Sequence, residues 1–319
     1  MTTSTDTGPD LGADVGEARL AELARGKVAP LRHPGRWVAS AVALVLLAQF
    51  VHALITNPVF QWHAFGYWFF RPVIVHGLLL TLELTGLSAA FGLAGGLVLA
   101  LMRMSRSPLL QAVSWGYVWV FRSIPLIVLL LFLANVTALY ASLSLGVPFG
   151  PSFLRFNADD VLSFFVVAVL GLSLNEAAYA AEIVRSGIIS VDSGQLEAAA
   201  ALGLPRWHQY RRVILPQATR TIIPAYANQL IGLLKGTSVV YITSLLELFG
   251  EVETQASTNS GQIIPLLMVG TVWYIILTSV LSVVQYYLER YFARGATRAL
   301  PPTALGRLRA TLRTAGVVR

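Results

Sequence analysis

Six apolar stretches, separated by segments that carry nearly all the arginine and lysine, constrain the fold of this chain more than any other feature. A helix needs about 20 apolar residues to cross a bilayer, and only helices or closed barrels satisfy their backbone hydrogen bonds in lipid. The charged fraction of 12% is also far below the ~25% typical of soluble domains. We therefore predict an all-α integral membrane protein with spans at residues 37–56, 77–102, 118–140, 161–183, 222–234 and 263–284.

The distribution of basic residues predicts the orientation of these spans. Alternating them places both ends of the chain, the loop at Arg103 and the polar segment 185–216 on one side, together with nearly every Lys and Arg. Because cytoplasmic loops carry an excess of Lys and Arg, that side is predicted to be the cytoplasm. It would hold a disordered tail at 1–36 and a basic tail at 291–319. The aromatic segment 57–74 is predicted to lie on the outer surface, at the membrane interface.

Two longer connections are predicted to be loops. The first joins the third and fourth spans and contains Pro148 and Pro151, which interrupt regular structure. The second joins the fifth and sixth spans and carries three acidic residues, Glu247, Glu251 and Glu253.

Several classes of function are not indicated by the sequence. The net charge of +7 could suggest nucleic acid, but the basic residues form no single patch. The chain has no cysteine, its five histidines are scattered without metal-ligand spacing, and neither HExxH nor GxSxG occurs. We therefore expect no nucleic-acid partner, no metal site and no catalytic residue in this chain.

The polar segment from Asn175 to Pro216 contains a short helix with clear end signals. Asp192 and Gln195 are spaced as a capping pair at its start, and Gly203 marks its end. At roughly ten residues it is too short to cross a bilayer. Its middle, residues 198–201, consists of four alanines, so a partner could approach the backbone closely. The pattern indicates a docking helix, and the alternative is an Ala-rich amphipathic linker without a specific role.

This segment resembles the EAA loop of ATP-binding-cassette (ABC) importer permeases. Glu197-Ala198-Ala199 is followed after three residues by Gly203, and nine residues later by the Val213-Ile214-Leu215-Pro216 segment. The resemblance implies a type I ABC importer transmembrane domain at 75–290, with a five-helix core and one additional helix at 37–56. The residues that it implies for coupling to an ATPase are Glu197, Ala198, Ala199, Gly203 and Leu204.

The flanking sequence is similar to the polar amino acid subclass of these permeases, which imports histidine, glutamine, glutamate or arginine. The similarity lies in Ala178-Tyr179, Glu182-Ile183, Gly187-Ile188, Pro216-Gln217-Ala218 and Lys235-Gly236-Thr237-Ser238, and upstream in Thr81-Leu82 and Phe121-Arg122-x-x-Pro125. Ser123-Ile124 and Gly236 depart from the usual pattern, which affects the expected specificity and not the fold.

That resemblance implies a permease subunit in a bacterial cell membrane and not an enzyme. ATP and Mg would be bound by separate ATPase subunits, and this chain would hold no cofactor. The implied partners are two ATPase subunits, a second permease (the same chain or a sister), an extracytoplasmic solute-binding protein and membrane lipid. The alternatives are a permease for another small polar solute, a membrane scaffold, and a secondary transporter. The last would be expected to show an inverted repeat, and we see no second copy of the Asn175–Pro216 pattern.

Ionisable and polar residues within the spans are candidates for the substrate path, because a charge at bilayer depth usually faces a wet cavity or a partner. We select Asn175 and Glu176 as a polar lining, and Glu83 as a residue that either lines the path or extends to the interface. Glu182 and Arg185 are spaced as an i, i+3 ion pair. Gly92 and Gly96 have the GxxxG spacing, which favours close helix packing within the chain.

Overall fold

The computed structural model describes residues 34–140, 142–147 and 151–292, and these divide into two units, one ending at Pro58 and one beginning at Val59. In the first unit, helix α1 (Pro34–Thr56) corresponds to the predicted additional span. Its described side chains are nearly all exposed, as expected of an apolar helix that would face lipid. The predicted tails lie almost wholly outside the described residues, although Pro34, Gly35 and Arg36 already belong to α1.

The second unit is a bundle of long helices with shorter helices at its ends. Its α-helices are α2 (Trp62–Phe69), α3 (Pro72–Arg103), α4 (Pro108–Ser123), α5 (Leu126–Ala134), α6 (Val136–Leu139), α7 (Ala158–Val161), α8 (Phe164–Ile189), α9 (Ser193–Ala201), α10 (Arg206–Gln209), α11 (Leu215–Gly236), α12 (Leu248–Thr258) and α13 (Ile263–Phe292), and a 3-10 helix, Thr237–Thr243, follows α11. Helices α3 and α4 both begin at a proline, which fits the first helical turn because its N–H groups lack helical partners.

Among the described residues, four helices are long and apolar enough to cross a membrane, or six spans when two bent helix pairs each count as one. This agrees with the all-α membrane fold expected from the sequence. The bend of 99° between α4 and α5 divides the span predicted at 118–140. Pro125 lies at the break: it cannot donate to a preceding helical turn, and it favours extended backbone at Ile124, where φ is −83° and ψ is 125°.

The centre of the bundle is the contact between α3 and α8. A Cβ on Gly92 would lie 2.6 Å from Cγ of Glu176, and one on Gly96 would lie 2.5 Å from Cβ of Ala180 and 2.9 Å from the backbone nitrogen of Ala181. Both glycines are therefore required for the helices to approach this closely. The prediction that the GxxxG spacing serves packing within the chain is confirmed.

The two connections predicted to be loops contain regular structure. Residues Ser142–Gly146 (β1) and Ser152–Asn157 (β2) form an antiparallel pair of strands, with Ser142 opposite Asn157. In the second connection, residues 248–258 form helix α12. Its N-cap is Glu247, whose carboxylate accepts hydrogen bonds from the backbone N–H groups of Phe249 (3.1 Å) and Gly250 (2.9 Å).

The prediction of an acidic loop was wrong at Glu247 and Glu251 because tertiary contacts bury both residues. Glu247 also accepts hydrogen bonds from the hydroxyl groups of Thr81 on α3 (3.1 Å) and Tyr274 on α13 (3.0 Å). A buried carboxylate is stable when donors surround it in this way. Glu247 therefore joins three helices, and no periodic pattern in the sequence indicates this.

The aromatic segment packs partly on the bundle. Trp68 donates a hydrogen bond from Nε1 to Oε1 of Gln262 (2.6 Å), and the ring of Phe69 stacks on Trp273 of α13 at 4.8 Å between centroids. Tyr67 and Phe70 are exposed. Helix α2 is thus fixed to α13 and to the turn before it, while Tyr67 remains exposed.

Candidate functional site

The predicted docking helix is α9, and its start is fixed by a side-chain cap. Oδ1 of Asp192 accepts a hydrogen bond from the backbone N–H of Gly194 at 2.7 Å. This is the usual N-cap interaction, which satisfies a backbone donor that has no partner inside the helix. The predicted start at Asp192 is confirmed, but its side chain caps Gly194 and not the predicted partner Gln195, whose backbone N–H donates to the carbonyl of Asp192 at 3.1 Å.

The end of α9 is a Schellman motif centred on Gly203. The backbone N–H of Leu204 donates to the carbonyl of Ala199 (3.1 Å), and that of Gly203 donates to the carbonyl of Ala200 (2.9 Å). Gly203 has a φ of +71°, in the left-handed region that favours glycine. The side chain of Gln209 then donates to the carbonyl of Leu204 at 2.7 Å, so the chain leaves the helix in a defined direction.

These contacts divide the five predicted coupling residues into two groups. Ala199, only 4% exposed, points inward, while Gly203 and Leu204 form the turn. Glu197 and Ala198 are exposed. The first group sets the shape of the helix, and the second forms its outer surface. The sequence pattern identified all five residues without separating these two roles.

The outer surface of α9 continues onto the residues that follow it. Leu202 is 79% exposed and Trp207 is 66% exposed, although both are large apolar side chains. A Cβ at Gly203 would meet no heavy atom within 4 Å. The result is a smooth surface with apolar groups at one end, of the kind that is covered by a partner protein.

A nearly continuous helix connects this surface to the core of the bundle. Helix α10 passes into a π-helical turn, Tyr210–Ile214, and then into α11. The wider turn precedes Pro216, which has no N–H for the carbonyl of Arg212 and would crowd it in a regular α-helix. Ile214 and Ala218 are buried, so the start of α11 is anchored in the bundle.

The second connection from α9 to the core is α8, which ends three residues before it. A Cβ on Gly187 would overlap the side chain of Ile222 on α11, so α8 and α11 are in close contact next to the loop. Earlier in α8, Glu182 and Arg185 form an ion pair, with a distance of 2.8 Å between Oε2 of Glu182 and Nη2 of Arg185. The predicted i, i+3 pair is confirmed.

The predicted path residues contact different parts of the bundle. Glu83 is exposed on α3. Asn175 donates from Nδ2 to the carbonyl of Phe121 at 3.1 Å, at the end of α4. Glu176 is 1% exposed and accepts a hydrogen bond from Nε2 of Gln229 on α11 at 3.1 Å. Their role in substrate passage stays a prediction.

A mainly apolar groove of about 360 Å³ lies between α11, α12 and α13. Its polar groups include Lys235, Ser238 and Tyr274. The sequence singled out Lys235 as part of the Lys235-Gly236-Thr237-Ser238 segment, but it did not indicate that α12 and α13 would form a groove beside it.

Comparison with known proteins agrees with this architecture. The family model of the binding-protein-dependent transport system inner membrane component matches residues 92–297, more than half of the chain. The chain belongs to this family. The arginine transport system permease protein ArgU of Corynebacterium glutamicum is 45% identical over 281 residues, covering 88% of this chain and 87% of ArgU.

A second relative, the glutamate/aspartate import permease protein GltK of Escherichia coli O6:H1, is 34% identical over 219 residues, which are 69% of this chain and 93% of GltK. The crystal structure of an amino acid ABC transporter with histidines has 32% identity and a TM-score of 0.59, covering 69% of this chain and 94% of that one. The fold is that of a type I ABC importer transmembrane domain, as predicted.

Proposed function

We propose that this permease imports a polar amino acid, with a basic amino acid favoured, and that α9 is its docking site for a separate ATPase subunit. The observation that carries the proposal is the exposed, doubly capped helix α9, joined through α10 and the π-turn to α11. A helix fixed at both ends moves as one body. A force applied by a partner at α9 would therefore reach the spans without being lost in a flexible loop.

The partners follow from this arrangement. Two ATPase subunits would bind ATP and Mg and dock on α9 of this chain and of a second permease, either the same chain or a sister. An extracytoplasmic solute-binding protein would deliver the substrate. This chain would supply the membrane path and hold no cofactor of its own.

The substrate class is supported by the names of the relatives, which concern arginine and glutamate/aspartate, and by acceptor groups in this chain. Glu83, Asn175 and Glu176 offer carboxylate and amide oxygens, which favour a ligand with an ammonium or guanidinium group. Because Glu176 is 1% exposed, it would face the substrate only in a conformation in which α8 and α11 separate.

The test is ATPase stimulation in a reconstituted importer. The permease, its ATPase and its binding protein are placed in liposomes, and ATP hydrolysis and uptake of labelled amino acids are measured together. We expect ATP hydrolysis to rise and arginine or another polar amino acid to enter only when the binding protein and its ligand are both present. Uptake that proceeds without ATP would identify a secondary transporter instead.

The proposed orientation places both termini and α9 in the cytoplasm. The chain has no native cysteine, and Ser152, Ser193 and Ser257 are all exposed, so single cysteines at these positions would be free to react. An impermeant thiol reagent added to intact cells should label cysteines at 152 and 257 and not at 193. Labelling at position 193 in intact cells would show that α9 lies outside the cytoplasm and would contradict the proposed orientation.

A further inference from the structure

A pocket of about 270 Å³ lies where α3, α4 and α8 meet, away from α9 and from the Lys235 groove. It is lined by Arg103, Trp115, Val118, Trp119, Arg122, Ser123 and Glu182. Two observations place it at an end of the membrane-spanning region. Arg103 is the last residue of the long apolar helix α3, and the hydroxyl group of Ser114 donates to the carbonyl of Leu99 at 2.8 Å, which holds α4 beside that end.

The pocket has more positive than negative charge. Glu182 is paired with Arg185 at 2.8 Å and also interacts electrostatically with Arg103 and Arg122, so three guanidinium groups share one carboxylate. No other carboxylate lines the pocket among the described residues. Arg103, Arg122 and the neighbouring Arg185 therefore leave an excess of positive charge over Glu182, and this excess favours an anionic ligand.

Arg103 is positioned to bind such an anion. Its Nη1 is fully buried and has no hydrogen-bond partner among the residues that the structure describes. A buried donor without a partner is unfavourable and rare in folded proteins. Arg122 lines the same pocket, with its guanidinium carbon 5.2 Å from the centre of the Tyr179 ring on α8. Two guanidinium groups on adjacent helices form the donor set that binds phosphate oxygens most effectively.

The surface beside the pocket is apolar and suited to lipid. Trp115 and Trp119 are 55% and 60% exposed, and their rings stack in parallel with centroids 6.1 Å apart. Leu109 and Val113 extend this exposed surface along α4. Tryptophan is enriched at the level of lipid headgroups. A ligand that fills the basic pocket and also covers this surface needs an anionic head and an apolar body.

We propose that this pocket binds the phosphate group of an anionic phospholipid, with Arg103 and Arg122 as donors and the Trp115–Trp119 pair against its glycerol and acyl chains. Basic pockets between helices at the membrane surface bind lipid headgroups in this way. The proposal concerns lipid retention and does not rest on the transport function proposed above.

The test counts bound lipids on the intact importer complex. The complex is placed in nanodiscs of phosphatidylcholine with increasing phosphatidylglycerol, and retained lipids are counted by native mass spectrometry. We expect the parent to retain phosphatidylglycerol selectively. Arg103→Gln and Arg122→Gln should each weaken retention about fivefold, and the double variant should show no preference for the anionic lipid. Arg71→Gln, which removes an arginine that packs over Tyr67 outside the pocket, is the matched control and should behave like the parent.

Three outcomes would overturn the proposal. One is equal retention of phosphatidylglycerol by the parent and the double variant. Another is displacement of the lipid by millimolar inorganic phosphate, which would identify a soluble anion as the occupant. The third is that the double variant binds lipid as the parent does but falls apart into single permeases. That result would show that a second permease covers the pocket. If Arg103→Gln does not assemble, Arg103→Lys should retain intermediate amounts, because lysine keeps the charge but loses the two-pronged geometry.

Discussion

The α3–α8 contact and helix α9 both depend on glycine and alanine, but they use these small residues in opposite ways. At Gly92 and Gly96 the space above the backbone is filled by Glu176, Ala180 and Ala181 of the same chain. Around Gly203 that space is empty, and the side chains of Glu197 and Ala198 are exposed. The first surface is covered within the bundle, and the second is uncovered by the residues that the structure describes.

This difference separates stability from association. Enlarging a residue in the α3–α8 contact must displace neighbouring backbone, so it should lower the stability of the permease itself. Enlarging a residue on α9 displaces nothing in this chain, so its main effect should appear only when the partner binds. The substitutions below test that distinction, in order of expected effect.

Gly96→Leu should have the largest effect. Its Cβ would lie 2.5 Å from Cβ of Ala180 and within 3.0 Å of two backbone atoms of α8, and these atoms cannot move without separating the helices. We expect destabilisation of about 3 kcal/mol or more and little protein in the membrane. Gly86→Leu on the same helix is the control, because a Cβ there meets nothing within 4 Å. Thermal unfolding in detergent measures both, and equal melting temperatures would contradict the assignment of the contact.

Gly203→Arg should leave the permease in the membrane but abolish ATPase association and uptake. An L-residue in the left-handed region costs roughly 1–2 kcal/mol, too little to unfold the bundle, while the new side chain would project from the docking surface. Gly203→Asn is the matched control, since asparagine tolerates this conformation and is smaller. Pull-down of the ATPase subunit should fail with the Gly203→Arg variant and succeed with the Gly203→Asn variant. Normal uptake by the Gly203→Arg variant would show that α9 is not the coupling element.

The two regions also differ in how far the sequence predicts them. The ends of α9 depend on neighbours within a few residues, such as Asp192 with Gly194 and Gly203 with Ala200, so local signals were sufficient. The GxxxG spacing likewise indicated close packing. The sequence could not indicate which helix packs there.

Features that depend on distant residues were missed. Glu247 appeared to belong to an acidic loop because its hydrogen-bond partners Thr81 and Tyr274 lie 166 and 27 residues away. The 99° break at Ser123–Leu126 was hidden because both sides of it are apolar. The sequence placed Arg103 in a basic loop and Arg122 in the Phe121-Arg122-x-x-Pro125 pattern. It did not indicate their shared pocket, because that pocket requires three helices to meet.

Glu176→Gln should have a smaller effect. Glutamine has nearly the same shape and can keep the hydrogen bond with Gln229, so the α3–α8 contact should remain intact. The loss of a charge should reduce uptake several-fold if Glu176 meets the substrate, while pull-down of the ATPase and thermal stability stay at the parent level. Unchanged uptake of every amino acid would make Glu176 a packing residue only.

The most direct measurement of the central claim is site-specific cross-linking from α9. Because the chain has no cysteine, a single cysteine at Ala198 or Ala201 can carry a photoreactive maleimide within the assembled importer, with Ser257 as an exposed control position on α12. We predict that both α9 positions cross-link to the ATPase subunit and that position 257 does not. An assembled, ATP-hydrolysing complex without cross-links from either α9 position would contradict the account.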